Sequence, residues 1–295
     1  MKLDLHVHIR RHYRIEDLRR VIKARDLDGI AVTNFHNITL AQYLCERIED
    51  FLVIVGQEVE SKRGHILAIN IAEKIPDDLE PEETIRRIHA QGGIAILAHP
   101  YLVWNSILPH GRARDLPFDA IEVFNYRCGP LLWPNFLAKL GLRHLPWPRV
   151  ANTDSKDMAT IGLCHNEVPV APAEHYTAGL AEQMIPEILH CIRRGQIRRQ
   201  EQWQMPSWEW FSSNLAHIFL PQRYYSCLHC GDKIVFHLAR RMRTCLACGR
   251  QEAHNVCCVR GHFVCSICRT KKALETPEFA TYRKKLDRAI DVNQS

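Results

Sequence analysis

Six stretches of this chain end an aliphatic run on a histidine or a carboxylate: HVH, FHN, GQEVES, GHILA, AHP and NTDSK. In the first, DLHVH, Leu3, Leu5 and Val7 alternate with Asp4, His6 and His8, so a period of two sends the aliphatic side chains to one face and the polar ones to the other. Imidazole and carboxylate are good ligands for zinc, manganese and iron, and donors drawn from several strands can hold two or three ions together. Ions paired about 3.5–4 Å apart clamp a phosphate and lower the pKa of bound water, giving a metal-bound hydroxide at neutral pH. The chemistry implied is phosphoester hydrolysis. A single strand-end histidine is ordinarily just hydrogen-bonded structure, and Glu58 alone could simply pair with an arginine. The ordered series is what points to a site.

Such donors need a scaffold. Strands are expected at KLDLHVH, GIAVTNF, FLVIVGQEV, HILAINI, GIAILAHP, AIEVFN and RVANTD. Between several of them lie amphipathic helical segments such as IEDLRRVIKARDL and PEETIRRIHAQGG, the latter with Pro81 suited to a first turn and Gly92-Gly93 to a stop. The alternation predicts an α/β fold with a mainly parallel sheet. His8, Asn34, His36, Glu58, His99, Asn125 and Asp154 fall at the C-terminal ends of the strands, the end that hosts active sites in barrels of this kind. With 295 residues, 46% of them hydrophobic, the chain can bury a substantial core. No run approaches the ~20 apolar residues of a membrane span, and the first residues lack the zones of a signal peptide, so a cytoplasmic protein is expected.

These motifs, in order and spacing over roughly residues 1–170, resemble the polymerase and histidinol phosphatase (PHP) superfamily of metal-dependent phosphoesterases. DLHVH resembles its first motif, DGIAVTNFHN the second, VGQEVES the glutamate motif, GGIAILAHP the Ala-His-Pro motif and NTDSKD the final aspartate motif. GHILAINI and DAIEVFN match intervening strands. The resemblance implies a distorted barrel of seven β/α units, metal ligation by His6, His8, Glu58, His65, His99 and Asp154, and a bridging role for Glu58. His12 and His36 are further candidate ligands. The chain departs from the pattern in three places. IRRHYR replaces a Ser-Asp-Gly turn; Thr33-Asn34-Phe35-His36 lacks the usual aspartate and is one residue longer; and Lys156 stands where the last motif commonly has a histidine. A protonated lysine is no ligand. Its ammonium could replace a third cation's charge and hold substrate phosphate, or could belong to an ion pair with Asp157 or a neighbouring carboxylate. Arg112 and Arg114, in a loop after the Ala-His-Pro motif, are candidate phosphate binders through their planar forks.

Eight of the twelve cysteines fall between Cys227 and Cys268: Cys227, Cys230, Cys245, Cys248, Cys257, Cys258, Cys265 and Cys268, with His262 as a ninth possible ligand. Paired CxxC motifs read as one or two structural zinc sites in preference to disulfides. Two arrangements fit the spacing. In a ribbon, Cys227/Cys230 join Cys245/Cys248, leaving Cys257 or Cys258, His262, Cys265 and Cys268 for a second ion; in a cross-braced module, the first and third groups share one ion.

Charge divides at the same place. Residues 1–220 carry net −2 and residues 221–295 net +8. The expected organisation is a phosphoesterase domain over 1–195, an aromatic-rich docking linker over 196–226 and a basic zinc module with a C-terminal helix over 227–295. The leading reading is a phosphoesterase with Glu58, Asp154 and Lys156 as catalytic residues and two or three zinc, manganese or iron ions, acting on a phosphorylated small molecule or nucleotide. One rival is a nuclease to which the basic module delivers DNA or RNA. The other is a noncatalytic binding or regulatory protein that keeps metals for structure. No membrane partner is expected.

Overall fold

The computed structural model describes residues 1–10, 13–102, 115–131, 133–202, 234–258 and 260–265. The chain divides into two units, Met1–Ile9 with Tyr13–Gln204, and Arg10–His12 with Met205–Ser295. The candidate residues His12, Arg112, Arg114, Cys227, Cys230 and Cys268 lie outside the described residues, as do most of the expected docking linker and the expected C-terminal helix.

In the first unit the described strands are β1 (Lys2–Val7), β2 (Gly29–Val32), β3 (Leu52–Ser61), β4 (Gly64–Ile69), β5 (Ile94–Leu97), β6 (Ala120–Asn125), β7 (Arg149–Asn152), β8 (His165–Glu167) and β9 (Arg198–Gln200). The helices are α1 (Ile15–Ala24), α2 (Thr39–Cys45), α3 (Pro81–Ala90), α4 (Trp133–Gly141) and α5 (Ala178–Arg193). The nine strands form one sheet in the order β7-β6-β5-β4-β3-β2-β1-β8-β9. β1, β2 and β3 run parallel, as do β5, β6 and β7, whereas β4 runs antiparallel to both its neighbours. The β3–β4 hairpin therefore interrupts the strand–helix alternation. The fold is mixed α/β with a nearly closed, barrel-like sheet.

Side chains on the strands alternate between one core shared with α5 and two others shared with α3 and α1. Ala31, Leu67, Ile69, Ile94 and Ile96 pack with Ile185, Ile188, Leu189 and Ile192 of α5. Ile66, Ala68, Ala95 and Leu97 pack with Ile85 and Ile88 of α3, and Ile30 and Val32 with Leu18 and Ile22 of α1. Each such aliphatic side chain, fully withdrawn from water, contributes about 1.5–3 kcal/mol. The alternation expected for DLHVH holds for Leu3 and Leu5 but fails at Val7, which packs with Leu18 and Ile22. A register shift between Asp4 and Val7 is the cause, since one irregular step exchanges the faces.

β1 and β7 meet without a regular ladder, and side-chain amides close the seam. Asn152 Oδ1 accepts from the Leu5 N–H (3.2 Å), and Asn166 Nδ2 donates to Asn152 Oδ1 (2.9 Å) and to the Ala151 carbonyl (2.8 Å). Just beyond, Val7 and Ser155 form a parallel bridge. α3 stops where the sequence predicts. Gly92 takes φ +77°, and a Cβ on Gly93 would lie 2.6 Å from the Ile69 carbonyl oxygen, so β5 can start hard against β4 only from glycine. Among the described residues no helix is long and apolar enough to cross a membrane.

Asp119 ties three elements together, accepting from His89 Nε2 of α3 (2.7 Å), the Ala95 N–H of β5 (2.8 Å) and Arg193 Nε of α5 (2.8 Å). Burial pushes its carboxyl up, but these donors outweigh burial and hold it below its ordinary value. Asp119→Asn is expected to cost about 1.5–3 kcal/mol in urea unfolding at neutral pH. Because the folded pKa is depressed, the stabilisation is present above the unfolded value of about 4 and is lost as the pH falls through the folded one, so the gap between variant and wild type should close in acid.

Candidate metal centre

The ends of β1, β3, β4 and β5, with the segment after β7, bring six of the expected ligands together. His6 Nε2 lies 3.2 Å from Glu58 Oε2, 3.3 Å from His8 Nε2 and 3.6 Å from Asp154 Oδ1. His8 Nε2 lies 2.9 Å from Glu58 Oε2 and 3.3 Å from Asp154 Oδ1. Four donors about 2.0–2.1 Å from a common centre at tetrahedral angles stand roughly 3.3–3.4 Å apart. The cage therefore has the size and donor chemistry of a divalent ion's first shell. Asp154 Oδ1 is buried and makes no hydrogen bond among the described residues, as an atom reserved for a cation would be.

The other oxygen of Glu58 faces a second group. Oε1 stands 2.6 Å from His65 Nδ1 and 2.9 Å from His99 Nε2. One carboxylate thus spans two donor sets, all of them buried. Asp154 at φ 49° and His99 at φ 20° leave ordinary strand geometry, a backbone cost characteristic of functional positions.

Two buried carboxylates that the sequence reading did not assign to the site support it. Glu122 Oε1 lies 3.1 Å from His6 Nδ1, while its Oε2 accepts from the His99 N–H (2.8 Å) and Asn125 Nδ2 (3.0 Å). A carboxylate on Nδ1 leaves Nε2 as the ligand nitrogen. Asp4 accepts from Thr153 Oγ1 (2.5 Å) and the Gly162 N–H (3.1 Å), fixing the turn before Asp154. Burial pushes the Asp4 carboxyl up to about 6 against those hydrogen bonds. The available sequence signal was a charged residue inside an otherwise aliphatic strand, AIEVFN and KLDLHV.

Electrostatically the cluster favours anions poised for cations. Burial alone would raise the pKa values of Glu58 and Asp154, but both are held well below the carboxylate range, Glu58 by His6 and His65 and Asp154 by Lys156 and His6. Burial opposes a charged His6, yet Asp154, Glu58 and Glu122 hold its pKa well above the ordinary value. Burial, then the Lys156 charge, lowers that of His8.

Lys156 Nζ sits 3.5 Å from Asp154 Oδ1 and 4.9 Å from the Phe35 ring centroid, its side chain only 12% exposed. Phe35 also stacks on His8 at 4.9 Å and meets His65 edge-on at 5.5 Å. The longer second motif thus presents an aromatic ring to the site, and His36, at φ 63°, turns elsewhere. His36 Nδ1 lies 3.0 Å from Asp77 Oδ2 and its side chain is 55% exposed, so it does not join either donor set.

In the second unit, β10 (Ile234–Thr244) pairs antiparallel with β11 (Gln251–Cys258). Cys245, Cys248 and Cys265 bring their sulfur atoms together as a further set suited to a metal ion. Burial pushes the Cys245 thiol up, but N–H groups of Cys265, Ala247 and Cys248 outweigh burial and bring it down to about 7. Among the described residues Cys257, Cys258 and His262 do not join this group, although the His262 N–H donates to Cys258 Sγ at 3.3 Å.

Fold and site together define an α/β protein with a buried His/Glu/Asp centre fit for divalent metal. The uncharacterized protein MJ1587 of Methanocaldococcus jannaschii is 32% identical over 142 residues, covering 42% of this chain and 82% of that protein. The chain belongs to the family of that protein. No family model matches. Two solved structures are similar at a TM-score of 0.45. PsfC from Pseudomonas syringae PB-5123 is 16% identical, with 66% of this chain and 98% of that one covered. The lesion-specific endonuclease PfuEndoQ from Pyrococcus furiosus is 17% identical, with 85% and 64% covered.

Glu122→Gln keeps the shape of the side chain but removes the charge behind His6. Divalent-ion affinity, measured by chelator competition, is expected to fall about 10–100-fold with far-ultraviolet circular dichroism unchanged.

Proposed function

We propose that this protein is a metal-dependent phosphoester hydrolase of the PHP type, with one divalent ion held by His6, His8, Glu58 and Asp154 and a second by Glu58, His65 and His99. The observation that carries the reading is the division of Glu58, whose two oxygens each serve a separate buried set of histidines. Ions so held supply Lewis-acid stabilisation of phosphoryl oxygens and lower the pKa of bound water. The chain's own residues do the rest. Glu122 orients His6, Asp4 fixes the Asp154 turn, and Phe35 walls the site on the His8 and His65 side. Lys156 places an ammonium beside Asp154, where it binds a phosphate oxygen of the substrate. Burial lowers the Lys156 pKa, with Arg127 adding to that effect and Asp154 opposing it.

The substrate class this favours is a phosphorylated small molecule or nucleotide. The net +8 of residues 221–295 favours a second reading, cleavage of DNA or RNA brought in by that segment.

Full-length protein supplied with manganese, zinc or iron should hydrolyse members of a panel of phosphomonoesters, nucleotides and oligonucleotides. Asp154→Asn should lower turnover by more than about a hundredfold; equal activity in that variant would overturn the site. Hydrolysis of nothing in the panel would leave a noncatalytic metal-stabilised protein. Deleting residues 221–295 should spare small esters and abolish polynucleotide cleavage if the second reading holds. Lys156→Met should raise KM for the phosphate ester more than it lowers kcat.

A further inference from the structure

The loop between β10 and β11 is built around a sulfur atom. Thr244 pairs with Gln251, so Cys245–Arg250 form the turn, closed by the Cys245 N–H on the Arg250 carbonyl and the Gly249 N–H on the Cys245 carbonyl, both at 2.8 Å. Gly249 takes φ +71°, which suits glycine. The residues after β11 then return to this loop. The Leu246 N–H donates to the Phe263 carbonyl at 2.9 Å, and the Cys265 N–H to Cys245 Sγ at 3.3 Å. Cys245, Phe263, Val264 and Cys265 are buried together.

Cys248 Sγ and Cys265 Sγ stand 3.7 Å apart. A disulfide would bring them to about 2.05 Å. Two thiolates on one tetrahedral zinc, each about 2.3 Å from it, stand roughly 3.8 Å apart. The observed spacing matches a shared ion. All-sulfur donors select zinc over the harder cations suited to the His/Glu/Asp centre.

We propose that Cys245, Cys248 and Cys265 bind one structural zinc ion, so that the second and fourth cysteine pairs of the sequence share a site and the module is interleaved. Three of the four places in a tetrahedral shell are then taken, and Cys227 and Cys230 together would need two. The ribbon pairing of Cys227/Cys230 with Cys245/Cys248 is thereby excluded. This ion clasps the segment after β11 to the β10–β11 loop, so binding it is part of folding the module.

The test is differential alkylation of the zinc-loaded full-length chain with N-ethylmaleimide, read cysteine by cysteine by peptide mass mapping. In the wild type, Cys245, Cys248 and Cys265 should be protected until zinc is chelated. Cys265→Ser should lose one zinc per chain and the protection of Cys245 and Cys248, whereas Cys227→Ser should leave all three thiols protected. Protection of Cys245 and Cys248 that survives Cys265→Ser, their exposure in Cys227→Ser, or no zinc-dependent protection in the wild type would each overturn the proposal. The Cys227→Ser arm decides even if Cys265→Ser unfolds the module.

Discussion

Glu58 is buried among His6, His8, His65 and His99, with each of its oxygens committed to a different pair. An ionised carboxylate so placed is tolerated only while positive charge surrounds it. Meeting that condition requires the ends of β1, β3, β4 and β5 to converge within hydrogen-bonding reach. The sheet's curl supplies the convergence, since β1 and β5 are separated by three strands in its order yet deliver His6 and His99 rings 5.7 Å apart. The antiparallel β4 belongs to the same requirement. In the β3–β4 ladder Glu58 pairs with Leu67, and His65 with Glu60, which sets His65 within reach of Glu58.

Around that carboxylate the fold balances charge by layers. Asp154 and Glu122 flank His6, and Lys156 flanks Asp154, so acid and base alternate outward. Glu122 and Asp4 bond to backbone N–H groups as well as side chains, which couples the donor atoms to the strands that carry them. A cluster of this kind is costly as bare protein and becomes favourable when a dication replaces the mutual compensation. The second unit meets the analogous problem with sulfur, where N–H groups stabilise thiolate on Cys245 ahead of any ion.

Much of this was legible locally. The strand ends carrying His6, His8, Glu58, His65, His99 and Asp154 could be read one by one, because a histidine or carboxylate closing an aliphatic run is a short-range pattern. The strands read from the sequence recur as β1 to β7, and α1 and α3 recur close to their expected bounds. β8 and β9, three residues each, carry too little periodicity to be read, and α2 and α4 were missed for their brevity or lack of clear caps. The face of Val7 was misjudged because a register shift has no signature in an alternating string.

The sequence by itself determined the donor types, the strands that bear them and the separate cysteine-rich, basic segment, since all of these are properties of neighbouring residues. Only the tertiary structure decided which donors meet. It divided Glu58 between two histidine sets, turned His36 away while Phe35 faced the site, placed Lys156 against Asp154, and joined Cys265 to Cys245 and Cys248. The reason is that metal coordination is a condition on distances of 3 to 4 Å between residues far apart in the chain. Those distances are set by sheet curl, register and left-handed backbone at single residues, none of which is written in the local pattern.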